Sequence, residues 1–173
     1  MNKNSLYFKD NFFSSGRTEV FNSLKEKVGE LDLNSAFSSS IDVIEGDGKK
    51  IISGRFGFFS NKWRISDGSG QEIGILKQKL TFLAKKYEYN AYTRGIYTIE
   101  AEVFSRQYEV LDEQSNQVAK FEKVNGFFAS PSYQLTNIDE KLSSAELIAV
   151  VMGVNAIQKR RKNNGAAAGS AGN

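Results

Sequence analysis

Three stretches of the sequence repeat at a spacing of about 45 residues, and this period constrains the fold more than any other feature. Apolar and turn residues of the second stretch return 45 positions later in the third: Phe58, Phe59 and Ser60 match Val103, Phe104 and Ser105; Ile65 matches Val110; Asp67 matches Asp112; Phe82 and Leu83 match Phe127 and Phe128. A fainter first copy contains Phe12, Phe13, Ser14, Val20, Val28, Leu31 and Phe37. A repeat of this size indicates one structural unit used three times, so the sequence predicts architecture better than activity.

Within each stretch the apolar residues come close to alternating, which is the period of half-buried β-strands and not of helices. The turn at 67–70 is rich in Asp and Gly, which tolerate left-handed backbone. The predicted strands are 5–11, 18–22, 27–33 and 40–44; 51–59, 62–66, 72–80 and 82–92; 96–104, 107–111, 117–123 and 132–137. Twelve strands joined by short turns must stack as two sheets or close on themselves, and the threefold similarity favours closure.

The last part of the chain breaks this pattern and predicts one helix, from about 144 to 161. Ser143 followed by Glu146 is typical of a capping box, in which each side chain pairs with a backbone N–H at the helix start. Residues 145–157 are apolar on every face, so we expect them to be buried all round. They are fewer than the roughly 20 residues of a membrane span, which favours a helix enclosed by the strands over a tail anchor.

These elements together predict a mainly β fold. It is an antiparallel closed barrel of about 12 strands, in three four-strand units, that encloses the apolar C-terminal helix. Residues 1–162 then form a single domain, which suits a chain of 173 residues. Residues 163–173, rich in Gly, Ala and Ser, are predicted to be a flexible tail.

The absence of cysteine and histidine limits the chemistry that this chain can perform. It excludes disulfides, thiolate or imidazole metal sites, and Ser-His or Cys-His nucleophiles, so we expect no enzyme, no metal and no cofactor. A chain without cysteine suits a reducing compartment, and the polar residues 1–11 do not predict a signal peptide. We therefore expect a cytoplasmic protein without a transmembrane segment.

The sequence pI of about 9.0 does not by itself predict a nucleic-acid partner. The chain has 23 Lys and Arg against 20 Asp and Glu, and without Lys159, Arg160, Arg161 and Lys162 only 19 basic residues remain. The excess of positive charge is therefore one patch at the end of the predicted helix. Cations there suit the negative end of the helix dipole; the alternative interpretation is a weak, salt-sensitive contact with an anionic membrane surface.

A second group of cations is interleaved with aromatic residues. It comprises Lys77, Lys79, Lys85, Lys86 and Arg94, among Phe82, Tyr87, Tyr89 and Tyr92. Cations beside aromatic rings can hold an anionic headgroup, although the same alternation is typical of an ordinary solvated strand face. With the cations at 159–162, these residues are the candidate binding residues for an anionic lipid.

Carboxylates give a weaker indication of function. Glu100 and Glu102 lie two residues apart on one predicted strand, as a general acid and base could. Asp67 and Asp112 occupy equivalent turns of two repeats, and turn chemistry alone explains their recurrence. We predict no catalytic residues in this chain.

Three segments resemble the recurring phrases of the LURP-one-related proteins, in the bacterial branch of the tubby C-terminal-like superfamily: Gly54-Arg55-Phe56-Gly57-Phe58-Phe59-Ser60, Trp63-Arg64-Ile65-Ser66-Asp67 and Ile73-Gly74-Ile75-Leu76-Lys77-Gln78-Lys79. The resemblance covers residues from about 5 to 162 and implies a barrel around a central helix. It also implies lipids, because the superfamily includes phosphoinositide-binding tubby proteins and the distantly related phospholipid scramblases. No segment matches the tubby headgroup site or a scramblase calcium loop residue by residue.

The leading hypothesis is a non-enzymatic barrel that binds anionic phospholipid or a membrane surface, in the cytoplasm and at the membrane periphery. A protein-interaction or scaffold module is the alternative, and an enzyme with carboxylate chemistry is the third. Because turn and corner chemistry accounts for the repeated residues, the unrepeated cations are the features left to carry a function.

Overall fold

The chain closes twelve antiparallel strands into a barrel, in which each strand pairs with its sequence neighbours and the first pairs with the last. The computed structural model describes residues 4–14, 16–33, 40–79, 85–101 and 106–169. The strands are Asn4–Lys9 (β1), Gly16–Phe21 (β2), Lys27–Leu33 (β3), Ser40–Glu45 (β4), Lys50–Phe56 (β5), Trp63–Asp67 (β6), Glu72–Gln78 (β7), Lys85–Asn90 (β8), Ile96–Ala101 (β9), Tyr108–Leu111 (β10), Gln117–Val124 (β11) and Ser132–Asn137 (β12). The predicted mainly β closed barrel is confirmed.

The twelve predicted strands are all present, and the differences lie at their ends. The first strand stops at Lys9 because Asp10–Phe13 forms a 3-10 turn. The fifth stops at Phe56, since the next residues form a tight turn in which the Ser60 N–H donates to the Gly57 carbonyl at 3.1 Å. The parts of the predicted strands that fall at 80–84 and 102–104 lie outside the described residues.

The 45-residue repeat is confirmed by the strand register. Val20 faces Gly29 in the first unit, Ile65 faces Gly74 in the second, and Val110 faces Ala119 in the third. In each unit the register shifts immediately after the first residue of that pair, at Val20, Ile65 and Val110. A bulge increases local twist and bends the strand, so one repeated irregularity curves the sheet three times around the barrel.

One turn design also recurs at the repeat period. The side-chain oxygens of Asn22, Asp67 and Asp112 each accept two backbone N–H groups, two and four residues further on, at 2.8–3.0 Å. Hydrogen bonds from the Ser69 hydroxyl and from nearby backbone N–H groups lower the pKa of Asp67, and the Asn116 amide with two backbone N–H groups does the same for the pKa of Asp112. Both carboxylates are therefore ionised turn acceptors, as turn chemistry predicts.

The single helix of the described chain, Ser144–Gly169 (α1), enters the barrel at one end and leaves at the other. From Ser144 to Val154 every residue is buried, so the predicted enclosed helix is confirmed. Residues 170–173, the last part of the predicted flexible tail, lie outside the described residues, and the helix continues to Gly169, beyond its predicted end at about residue 161. The alanines at 166–168 explain the difference, since alanine has the highest helix propensity of all residues.

The helix start keeps only half of the predicted capping box. The Ser143 hydroxyl accepts from the Glu146 N–H at 3.1 Å, as predicted. The Glu146 carboxylate, which is 2% exposed, instead accepts from both Arg94 guanidinium nitrogens, at 2.6 and 2.8 Å, and from the Tyr89 hydroxyl. Burial and this carboxylate raise the pKa of Tyr89, so its phenol stays protonated and donates. The contacts of Arg94 and Tyr89 with Glu146 fix the buried helix start to the wall of the barrel.

Two glycines make room for the largest core side chain, Trp63. A Cβ atom at Gly54 on β5 would lie 2.6 Å from the indole Nε1, and one at Gly153 on α1 would lie 2.5 Å from Cδ1 and 2.8 Å from the Leu76 Cδ2. Trp63 is thus held between the wall and the helix by two residues without side chains. Its N–H is buried and has no acceptor among the described residues, a cost of about 1–3 kcal/mol that the packing of the ring must exceed.

We expect Gly153→Ala to destabilise the protein by about 1–3 kcal/mol in urea unfolding, because the methyl group overpacks against Trp63. Helix propensity alone predicts the opposite, a gain of up to about 1 kcal/mol. Gly46→Ala is the matched control, since its Cβ would meet the nearest atom at an ordinary 3.5 Å. A Gly153→Ala protein as stable as the wild type would contradict the close packing of helix and tryptophan.

Candidate functional site

The two ends of the barrel differ in what they present to solvent. At the end where α1 begins, Asn137 at the close of β12 donates to the Ser144 hydroxyl at 3.3 Å. At the opposite end, which we call the helix-exit end, Arg160 on α1 donates to the Ser60 carbonyl in the β5–β6 turn at 3.2 Å. The repeated turns of residues 22–26, 67–71 and 112–116 all lie at the first end, which we call the turn end.

The balance of charge differs between the two ends of the barrel. In the turns of the turn end, acidic side chains (Glu26, Asp47, Asp67, Asp112, Glu113, Asp139 and Glu140) outnumber basic ones (Lys25, Lys49, Arg94 and Lys141). At the helix-exit end, the described residues include a set of cations with no carboxylate within ion-pair distance on the described part of the chain: Lys62, Lys85, Arg106, Lys159, Arg160, Arg161 and Lys162. Asp10, in the Asp10–Phe13 turn, is an exposed carboxylate at the same end, and the net charge of +3 conceals the excess of cations there.

The most exposed large apolar side chains of the described residues lie at the helix-exit end, in the β5–β6 turn. Phe58 is 89% exposed and Phe59 is 95% exposed, with their rings 4.3 Å apart. Phe59 also has a φ of 51°, a left-handed conformation that strains a bulky residue. Neither core packing nor turn preference explains two phenylalanines at these positions, since Gly or Asn suits such a turn better.

The exposure of Phe58 and Phe59 was not predicted from the sequence, because their counterparts in the first unit are buried. The corresponding residues of the first unit, Phe12 and Phe13, are 0% and 5% exposed and pack with Phe121 and Tyr133. The same sequence, Phe-Phe-Ser, is therefore part of the core in the first unit and an exposed tip in the second. The difference arises because β5 ends at Phe56, three residues before the predicted end of the strand, which places Phe58 and Phe59 in the turn.

Cations of the helix surround the exposed turn. The Arg160 guanidinium lies 4.5 Å from the centroid of the Phe56 ring, and its contact with Ser60 fixes its direction. The Lys159 ammonium donates to the Phe13 carbonyl at 3.4 Å. Lys62 is exposed in the same turn as Phe58 and Phe59. Three cations therefore flank one apolar tip.

Behind the tip lies a pocket of about 660 Å³, which we call the helix-exit pocket. Its apolar wall is formed by Trp63, Phe56, Leu33, Met152 and Ala156, and Phe58 and Phe59 also line it. Its polar side is a strip of the helix, with Asn155, Lys159, Arg160, Asn163 and Asn164.

A second, smaller recess of about 300 Å³ lies on another side of the same helix segment. It brings together three predicted candidates, Lys85 on β8 and Arg161 and Lys162 on α1, beside Tyr87 and Gln158. These cations come from both predicted groups, and the fold makes them neighbours across more than 70 positions of sequence.

The remaining candidates of the interleaved group, Lys77, Lys79, Lys86 and Arg94, are engaged with carboxylates. Lys77 and Lys79 contact Glu88, at 2.9 and 3.4 Å, and Lys86 contacts Glu100 at 2.6 Å. Arg94 holds Glu146 at the turn end, far along the barrel from the helix cations. The interleaved cations of β7 and β8 thus form a solvated strand face with ion pairs, and only Lys85 joins the helix cluster.

The acidic candidates do not come together as a site. Glu100 is the partner of Lys86, and Glu102 lies outside the described residues. Among the residues described, no group of three or more acidic side chains could hold a metal ion.

Fold and site together define a class of protein: a closed β-barrel filled by its own C-terminal helix, with an apolar and basic tip where the helix leaves. The family model of LURP-one-related proteins matches residues 4–154, and the chain belongs to that family. Its fold is similar to an X-ray structure of a protein from Arabidopsis thaliana, with a TM-score of 0.59, 12% identity, and coverage of 88% of this chain and 91% of that one.

A search of the curated proteins found no match. Kinship with tubby proteins and scramblases, and with the bacterial branch in particular, stays a prediction from the sequence. Among the described residues, no helix combines the length and the apolarity needed to cross a bilayer.

The ion pairs of Glu88 predict a pH dependence of stability. A hydrogen bond from Lys77, with a second from Lys79, lowers the pKa of Glu88 from its ordinary value of 4.5. The contribution is therefore complete above pH 4.5 and is lost as the pH falls through the lower, folded-state value. At neutral pH Glu88→Gln should cost less than about 1 kcal/mol, because the pair is solvent-exposed.

Urea unfolding of wild type and Glu88→Gln at a series of pH values measures this difference. It should shrink below pH 4.5 and vanish in strong acid. Glu140→Gln, at an exposed residue of the turn end, should stay close to the wild type throughout. A difference that persists unchanged into acid would show that the pair is not its cause.

Proposed function

We propose that this LURP-one-related barrel is a non-enzymatic protein that binds the anionic phospholipid surface of a membrane with its helix-exit end. The observation that carries the proposal is the exposed pair Phe58 and Phe59, held on a strained turn and flanked by Lys62, Lys159 and Arg160. An apolar tip ringed by cations matches the two layers of a membrane surface, apolar chains beneath anionic headgroups.

The aromatic pair supplies the larger contribution to binding. Full burial of a phenylalanine side chain contributes about 1.5–3 kcal/mol, whereas a cation near an anionic leaflet contributes about 1 kcal/mol. Exposed apolar side chains in contact with each other are also unusual on a monomer and mark interaction surfaces. Backbone hydrogen bonds close the turn, from the Gly57 N–H to the Lys62 carbonyl and from the Ser60 N–H to the Gly57 carbonyl, which lowers the entropy cost of binding.

The cations determine which membranes are bound. Lys62, Lys159 and Arg160 have no described carboxylate partner, so their charge is available to phosphate groups. The acidic turns lie at the far end of the barrel, where they orient the molecule with the helix-exit end toward negative charge. A protein partner would have to match the same arrangement with an acidic, apolar surface, and that alternative becomes an outcome of the experiment below.

A cytoplasmic location fits this function. The cytoplasmic leaflet carries the anionic lipids that attract basic surfaces. The absence of cysteine suits the reducing compartment that faces it.

Co-sedimentation with vesicles tests the proposal. We expect wild-type protein to bind vesicles that contain phosphatidylserine and to bind vesicles of phosphatidylcholine alone much more weakly, with affinity falling as salt rises. Phe58→Ser with Phe59→Ser should lower the partition coefficient at least about tenfold, since 1.4 kcal/mol is a factor of ten.

Two matched controls distinguish binding at this site from nonspecific apolar or electrostatic binding to the vesicles. Leu24→Ser with Ile138→Ser removes two residues that are 75% and 65% exposed at the turn end and should leave binding unchanged. The double variant Lys49→Glu with Lys141→Glu changes the net charge as much as Lys159→Glu with Arg160→Glu does. Only the variant at Lys159 and Arg160 should abolish binding. The proposal fails if wild-type protein stays in solution with anionic vesicles at low salt, and capture of a protein partner through the same phenylalanines would then support the scaffold alternative.

A further inference from the structure

We propose that the helix-exit pocket binds the acyl chain of a single-chain anionic lipid, with the chain between barrel wall and helix and the headgroup at Arg160 and Lys159. This inference deepens the proposed function and rests on it in one respect, because the mouth of the pocket is formed by Phe58 and Phe59, the residues that face the membrane. The common chemistry of the ligand is one acyl chain that ends in a carboxylate or a phosphate.

The size of the pocket matches one chain. Its volume of about 660 Å³ lies within the roughly 300–1,000 Å³ of pockets that bury a drug-sized ligand. From Met152 at the inner end to Arg160 at the rim the helix rises about 12 Å, at about 1.5 Å per residue. A chain of moderate length spans this distance, whereas a two-chain phospholipid would leave most of itself outside.

The polarity of the pocket changes along the helix in the order that an anionic amphiphile requires. Met152, Ala156 and Arg160 follow at intervals of four residues and therefore lie on one face of α1. The first two are buried and apolar, and the third is a half-buried cation. Trp63 and Met152, which are 0% and 2% exposed, close the inner end as its floor, and Phe56, Phe58 and Phe59 cover the apolar part from the wall.

Arg160 is positioned to receive the headgroup. Its Nη1 donates to the Ser60 carbonyl, and its guanidinium carbon lies 4.5 Å from the Phe56 ring centroid. A guanidinium has five donors, so these contacts leave donors free for an anion. Lys159 stands beside it on the same rim, and no carboxylate among the described residues is within ion-pair distance of either cation. The pocket thus has apolar walls and a fixed cation, with no counter-ion supplied by the part of the chain that the structure describes.

Titration of the full chain with dodecanoate and with dodecanoyl lysophosphatidic acid, each below its critical micelle concentration, tests the inference. Trp63 is the only tryptophan of the chain and lies at the floor of the pocket, so its emission reports a change in its surroundings when a ligand binds. We expect a saturable change in emission with both probes, and the tighter of the two identifies carboxylate or phosphate as the headgroup. Monododecanoylglycerol, with the same chain and no charge, should bind at least about tenfold more weakly.

Two neighbouring arginines provide a matched comparison. Arg160→Gln should weaken binding of either anionic probe about tenfold, the loss expected for one charge-assisted hydrogen bond. Arg161→Gln removes the same charge from the next residue, which lines the smaller recess, and should leave the affinity unchanged. Ala156→Phe fills the pocket and should abolish the emission change while vesicle binding persists.

Several results would overturn the inference. They are the absence of a saturable response to both anionic probes, equal affinities of Arg160→Gln and Arg161→Gln, or wild-type affinity in a folded Ala156→Phe protein. Failure of the inference and of the proposed function are distinguishable. If wild-type protein sediments with anionic vesicles but binds neither probe, the proposed function stands and the pocket inference fails. If it binds the probes but not the vesicles, the pocket inference stands and the proposed function fails.

Discussion

The structure depends on one close contact, that of Trp63 with the helix inside the barrel. The indole lies between Gly54 on the wall and Gly153 on α1, at positions where even a methyl group would overlap it. This contact fixes the register of the helix in the barrel, because every other residue of the buried segment from Ser144 to Ile157 would bring a side chain against the ring. The apolar residues on all sides of α1 then fill the interior, which explains why the helix has no solvated face.

Register is fixed a second time where the helix begins. The buried Glu146 carboxylate is held by Arg94 and Tyr89, so the first helical turn cannot slide along the axis without leaving a charge unpaired. Beyond Ile157 the residues turn from apolar to basic, and Lys159 and Arg160 contact only backbone carbonyls and an aromatic ring. The two ends of one helix thus divide the molecule, with structural polar contacts at the turn end and available cations at the helix-exit end. Membrane binding by Lys159 and Arg160 can be altered separately from stability, because both cations lie beyond the buried segment of α1.

The sequence predicted the features that are local or repeated. The 45-residue period corresponds to strand register and to identical bulges, and Asp67 and Asp112 are in the turns that their chemistry favours. The buried helix followed from its apolar residues alone. Pairings between distant positions were not predictable: Arg94 reaches Glu146 and Lys85 meets Arg161 only because the barrel closes. The exposed Phe58 and Phe59 were missed since their buried counterparts in the first unit have the same residue types.

The central claim is that the helix-exit end of this barrel is its membrane-binding surface. Hydrogen–deuterium exchange of the backbone amides, with and without anionic vesicles, tests it most directly because exchange reports position along the chain. The account predicts slower exchange in residues 57–62 and 158–164 when vesicles are present, and unchanged exchange in the turn at 112–116. Slower exchange in the turns of the turn end, with none at 57–62, would contradict it.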